Sequence, residues 1–315
     1  MDPLTHLSLG ACAGELLLGR RFGKKAMVYG ALAANVPDID TLAGLFVPGD
    51  QALWLHRGIT HSFCFALLAG LLLGYLFSKW YTRIGYGAFA LFFGLELALH
   101  DLLDTCTSYG TGLLEPFSQH RFSFHLLFVV DPLFTLPLLV ATLGLLVRRS
   151  GGKSRLNWAG GGIIVSLLYV SLALFCKSRL DPNATLTTPA PFTTMLWYCI
   201  RKTDSGYFTG YQSVFDQSPV SYEFHAQNYH LLHQPEPYLA KFADGYYTIS
   251  SDSGRLCFNI TRFEQVQGWQ TKDAPFVLSY PLGTHGNENM IIQKGRFAGW
   301  NSRSVRSYLE RIAGR

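Results

Sequence analysis

The stretch His56-Arg57-Gly58-Ile59-Thr60-His61-Ser62 packs two histidines, an arginine and two hydroxyl side chains together and runs directly into the apolar segment 63–77. Two other polar clusters stand at comparable places. Pro37-Asp38-Ile39-Asp40 closes an upstream apolar run, and His100-Asp101-Leu102-Leu103-Asp104 closes a downstream one. Ionised side chains beside apolar runs are costly unless they are paired or bind a metal. The three clusters therefore read as the ends of membrane helices that meet at one face around metal.

Composition supports a membrane setting. The chain has 315 residues, 49% hydrophobic and 15% charged, with a mean hydropathy of +0.17. That balance is too apolar for a typical soluble enzyme. Residues 1–179 carry 14 Lys+Arg against 10 Asp+Glu, and residues 180–315 carry 12 against 11. The basic excess of the net +5 thus lies in the apolar half, where it reports topology. No basic stripe with interleaved aromatics is visible, which argues against a nucleic-acid partner. The six cysteines show no C-x-x-C spacing, so a thiolate zinc site is not expected. No basic region precedes the first apolar run, which is not the layout of a cleaved signal peptide.

Apolar runs occupy 7–19, 26–36, 63–77, 86–103, 126–147 and 159–176. A helix needs about 20 apolar residues to cross a bilayer. The fifth run reaches that length, the fourth and sixth come close, and the first three need shielding by neighbours. The expected architecture is an all-α membrane bundle of about five to six segments over residues 1–178. A linker over 179–192 and a small extramembrane α+β domain over 193–315 follow it. Three inter-run segments hold Arg20, Arg21, Lys24 and Lys25; Lys79 and Arg83; and Arg148, Arg149, Lys153 and Arg155, without an acidic residue. By the positive-inside rule they face the cytoplasm. Segments 37–62 and 104–125, the N-terminus and everything after Cys176 then face outward, and every polar cluster falls on that side.

His100 and Asp104 are four apart, on one helical face, with Glu96 one turn deeper. Such a pair can share a metal or simply hydrogen-bond in a bundle core. Asp38 and Asp40, two apart after Pro37, can converge on cations or form an Asx turn. His56 and His61 need a turn near Gly58, with Thr60 or Ser62 capping the next helix. Arg57 suits a substrate phosphate or lipid headgroups. His6 opens the first run at the same level. Asp131 either orients a ligand, acts as a base, or caps the fifth run. The candidate metal ligands are His6, Asp38, Asp40, His56, His61, His100 and Asp104, more than one tetrahedral shell holds. They suit two divalent ions with bridging carboxylates, zinc first, with manganese or iron as options. Asp40, Arg57, Asp104 and Asp131 are the candidate catalytic residues. In the C-terminal part, His225, His230, His233 and His285 read as surface or packing residues, and Cys199 and Cys257 fall in expected strands where they could pair.

The motifs Thr5-His6, Asn35-Val36-Pro37-Asp38-Ile39-Asp40, His56 to Ser62, and His100 to Gly110 resemble the YdjM family over about residues 1–175. The resemblance implies an inner-membrane, metal-dependent hydrolase; with the orientation set by the basic segments, this is a multi-pass protein whose site and C-terminal domain are expected on the periplasmic face. The His/Asp layout is more distantly similar to zinc-dependent phospholipase C, which implies cleavage of a phosphoester, either a small molecule or a lipid or lipid-linked one. The rival expectation is a non-enzymatic regulatory or scaffold protein with a structural metal. A transporter ranks last, because no inverted repeat is evident.

Overall fold

The computed structural model describes residues 1–148, 152–232, 236–252, 255–282, 292–293 and 300–315. Arg149, His233 and His285 lie outside them. The helices are α1 (Pro3–Phe22), α2 (Lys24–Ala33), the short α3 (Asp40–Ala43) and α4 (Gly49–Leu55), α5 (Phe63–Trp80), α6 (Tyr86–Thr105), α7 (Pro132–Val147) and α8 (Lys153–Lys177). Strands β1 (Leu186–Pro189) to β4 (Glu223–Ala226) follow, then α9 (Pro237–Ala243), strands β5 (Tyr247–Asp252) to β8 (Ile292–Gln293), and α10 (Ser302–Ile312). Two compact units form: Met1–Leu42 with Leu55–Leu172, and Ala43–Trp54 with Ala173–Arg315.

In the first unit the caps explain where helices begin. Asp2 caps α1 ahead of Pro3, accepting from the Thr5 N–H. Ser62 caps α5 through the Phe65 N–H. Asp131 caps α7, accepting from Leu133 and Phe134, with Pro132 in the first turn. That cap corrects the fifth run: the helix begins at Pro132, so 126–130 is apolar but non-helical. Among the described residues, α5, α6 and α8 are long and apolar enough to cross a membrane, and α7 is a shorter apolar helix. Three such helices stand where five to six spans were expected, because α1 is less apolar and α2 and α7 are short.

Glycines set the two closest helix contacts. A Cβ on Gly30 of α2 would collide with the backbone of Gly10 and Gly14 on α1, and one on Gly70 of α5 would lie 2.7 Å from Gly94 Cα on α6. Close backbone approach of this kind replaces the hydrophobic drive that lipid does not supply. At the ends carrying the basic residues, Leu18, Phe89, Phe92 and Phe93 build an aromatic core with Phe22, Tyr29, Phe77 and Tyr81 around it. Arg155, counted above among loop charges, lies inside α8. Its Nε and Nη2 donate to the Glu15 carboxylate at 2.8 and 2.6 Å, with both side chains buried.

The second unit holds two antiparallel sheets, ordered β1-β2-β3-β4 and β5-β6-β7-β8. Tyr198 of β2 (Leu196–Lys202) faces Tyr211 of β3 (Gly206–Ser213). These two residues, Leu196, Ile200, Tyr207 and Tyr308 of α10 form its core. The stretch expected to be a linker carries β1, which pairs with β2 through Thr187 and Cys199. Its prolines do not prevent this, since Pro189 ends an edge strand. The excursion 43–54, expected with the bundle, clusters with the sheets, and Trp54 lies 5.5 Å from Lys241 Nζ. No disulfide forms among the six cysteines. Cys199 and Cys257 occupy different sheets.

Candidate metal centre

The site is built from three pieces of the first unit. The C-terminal end of α6 presents His100 and Asp104. The 3-10 turn Pro37–Ile39 presents Asp38. The 3-10 turn Ile59–His61 presents His61. One donor atom from each of Asp38, His61, His100 and Asp104 lies within 4.8 Å of the others. His61 Nε2 is 3.3 Å from Asp38 Oδ1 and 3.5 Å from Asp104 Oδ2. His100 Nε2 is 3.7 Å from each of the same two oxygens. Donors bound about 2.0–2.2 Å from a tetrahedral ion stand roughly 3.3–3.6 Å apart, so the cluster is near the spacing one ion requires. His61 Nε2 and Asp104 Oδ2 are buried beside Asp38 at 3.3 Å and Arg57 Nε at 3.0 Å, and His100 Nε2 is buried without a hydrogen-bond partner. Buried polar atoms are rarely left so, and an imidazole–carboxylate set suits a divalent transition metal.

The surrounding groups fix how the imidazoles point. His100 Nδ1 is 2.6 Å from the Ala34 carbonyl, which selects the tautomer whose Nε2 carries a lone pair toward the cluster. His61 Nδ1 is 3.3 Å from Asp40 Oδ2 and 3.1 Å from Thr60 Oγ1. Asp40 also accepts from the Arg57 N–H at 2.9 Å, from Thr60 Oγ1 at 3.0 Å, and from His56 Nδ1 at 2.9 Å. Asp40 is therefore the knot of the His56–His61 turn. Asp38, Asp40 and His56 form a second group that shares Asp38 with the first.

Arg57 is buried and adopts φ +63°, a region that favours glycine. Its N–H bonds Asp40, and its carbonyl accepts from Gly112 at 2.9 Å. The guanidinium lies over Tyr109 and donates to Thr107 Oγ1 at 2.7 Å, with Nε 3.0 Å from Asp104 Oδ2. A cation held against Asp104 is what this conformation secures. His6 stacks on His100 with centroids 3.8 Å apart, and its Nε2 is 3.2 Å from Asp104 Oδ1, which also meets the Met1 amine. Asp131 stands apart from both groups: its carboxylate caps α7 and accepts from Tyr169 at 3.1 Å. Burial pushes it up to about 6.

Charge shapes the rim. Burial works to raise the Asp38 carboxyl, but nearby His61 and His100 outweigh it and hold it at about 2. Burial likewise opposes ionisation of Asp40, and its bonds to His56 and His61 keep it well below the usual carboxylate range. Burial disfavours protonated His61, yet Asp38 and Asp40 bring it up to about 9. Sequence reasoning passed over Asp101 and Glu15. Asp101 is buried with neither oxygen hydrogen-bonded, and so is Glu96 one turn deeper than His100. An ionisable residue inside an apolar run is the signal that could have marked them. In the second unit His225 bonds Thr209 Oγ1 at 2.9 Å.

Fold and site together define a membrane protein whose helical part carries an Asp/His cluster able to hold a metal ion. The chain belongs to the YdjM inner membrane protein family, which matches residues 1–180. It is 33% identical over 121 residues to inner membrane protein YbcI of Escherichia coli K12, covering 38% of this chain and 69% of that one. It is 28% identical over 189 residues to the uncharacterized protein YfhP of Bacillus subtilis 168, covering 57% of this chain and 54% of that protein. No solved structure matches. None of these names carries the likeness to zinc-dependent phospholipase C.

Proposed function

We propose that the protein is a membrane-bound metal-dependent hydrolase that cleaves a phosphoester at the periplasmic face of the inner membrane. The observation that carries this reading is the four-residue donor cluster, in which His100 Nε2 is buried without a hydrogen-bond partner. In this reading Asp38, His61, His100 and Asp104 hold a divalent ion, zinc first. Asp38, His56 and Asp40 would hold a second ion, and Asp38 belongs to both groups. Bound there, divalent ions supply an acidified water and a Lewis acid for a phosphoryl oxygen. The chain's own residues do the rest. Asp40 orients His61, Ala34 orients His100, and His6 walls the cluster beside Asp104. Arg57, held beside Asp104, is the cation that would bind the substrate phosphate. Asp38, the most exposed of the four, marks the side from which substrate enters. Asp131 keeps the start of α7 in place. The protein is read as a multi-pass bundle, with α1, α2 and α7 completing the spans.

One observation favours a second reading, a regulatory or scaffold protein with a structural metal. Four protein donors fill a tetrahedral zinc shell, whereas catalytic sites keep a position open. Phosphodiester hydrolysis by purified protein, wild type against Asp38→Ala and His100→Ala, decides between them. Turnover that both variants lose supports the hydrolase. Metal retained at full occupancy with no turnover on any phosphoester supports the structural reading.

A further inference from the structure

A groove of about 390 Å³ lies between α5 and α6. Leu67 and Leu71 of α5 and Leu91 and Leu95 of α6 flank it, and the small residues Gly94 and Ala98 leave its space open. Every lining residue is apolar, and both helices are long and apolar enough to cross a membrane. The groove reaches the level of the metal cluster along the helices: it includes Phe63, two residues from His61, and Ala98, two residues, about 3 Å along the axis, from His100. From Phe63 to Leu71 it runs about 12 Å along the helix.

The rim beside the cluster is also apolar. Between Asp38 and Asp40 stands Ile39, 57% exposed, and two residues before His61 stands Ile59, 56% exposed. Donor side chains point inward and apolar ones outward from the same turns. A site for a water-borne substrate has no use for such a rim, whereas one set at the level of lipid headgroups does.

We infer that the α5–α6 groove seats a hydrocarbon chain of a bilayer lipid phosphoester whose phosphate is presented to the metal cluster. This rests on the hydrolase reading for the headgroup end only. Charge fits, since the cluster at that level holds Arg57 beside Asp104, a cation for an anionic head. Size fits too: about 390 Å³ spread over about 12 Å of helix leaves a slot of roughly 32 Å² in section, which admits a single hydrocarbon chain.

The test uses full-length protein in phosphatidylethanolamine–phosphatidylglycerol vesicles containing a phospholipid with a diazirine in its acyl chain. Adducts are mapped by peptide mass spectrometry. Wild type is expected to be labelled on Leu67, Leu71, Leu91 and Leu95 at least fivefold more than on Leu167 and Leu168 of α8, which are also exposed. Ala98→Trp, which fills the groove, removes that excess. Gly94→Leu does so too, and it has room for its Cβ, whose nearest neighbour is Ala66 O at 3.8 Å. Leu68→Trp, outside the groove, leaves it unchanged. Even labelling of α5, α6 and α8, labelling indifferent to both filling variants, or cross-links to a second copy would each overturn the inference. Hydrolysis of a long-chain lipid and of soluble bis-p-nitrophenyl phosphate is measured on the same samples. Selective labelling without any hydrolysis keeps the groove and removes the hydrolase. Hydrolysis of the soluble ester without selective labelling does the reverse.

Discussion

His100 Nδ1 donates to the carbonyl oxygen of Ala34 at 2.6 Å, and that bond leaves Nε2 to face Asp38 and Asp104. The donor is a backbone-anchored imidazole, so α2 and α6 are tied at the level of the site. The corresponding anchor for His61 is a side chain, Asp40, and can be tested by substitution. Asp40→Asn is predicted to weaken metal binding by about 10- to 100-fold, the usual effect of losing an orienting carboxylate. His61→Ala, which removes a donor, weakens it further. Competition titration with a chromophoric chelator measures both; equal affinities for Asp40→Asn and wild type contradict the assignment.

The pH dependence follows from His61. In the metal-free protein it sits near 9, above its ordinary 6.5. Its protonated form therefore contributes stability fully below pH 6.5, and that contribution is lost as pH rises toward 9. A metal displaces this proton. Affinity is predicted to rise about tenfold per pH unit up to about pH 9 and to level above it. Asp38, held at about 2, stays ionised across the range and adds no slope. Titrations from pH 6.5 to 9.5 check this, and a flat profile below 9 contradicts it.

The Glu15–Arg155 pair is predicted to behave as a buried ion pair in the helical unit. Arg155→Met alone leaves an uncompensated carboxylate and costs about 3–5 kcal/mol, while Glu15→Leu with Arg155→Met recovers most of that loss. Unfolding in mixed micelles measures the cycle; equal stability of wild type and the single variant contradicts the pairing.

The second donor group makes a separate prediction. His56→Ala lowers metal content from two ions per chain toward one and leaves the tighter site intact, because His56 is absent from the four-residue cluster. Elemental analysis after dialysis reads this directly. One ion per chain in both proteins removes the second position.

Much of this was legible in the sequence for a physical reason. The i, i+4 spacing of His100 and Asp104 is helical geometry, and it survives any packing. Asp38 and His61 also stand where their positions at run ends placed them. The division of labour between Asp38 and Asp40 was not legible. It depends on the turn through Arg57, whose positive φ no composition signals. Asp131 had three readings, and Pro132 after it already favoured the cap. Arg155 counted as a loop charge because only packing pairs it with Glu15, distant in the chain. Strand β1 hid in a proline-rich stretch, since pairing with β2 is a tertiary event.

X-ray absorption on protein loaded with one zinc per chain, which fills the tighter four-donor site, tests the central claim most directly. The predicted spectrum shows two imidazole nitrogens and carboxylate oxygens at about 2.0–2.2 Å with no sulfur scatterer, and His100→Ala loses one imidazole contribution. A sulfur ligand, or a spectrum that His100→Ala leaves unchanged, would place the metal elsewhere.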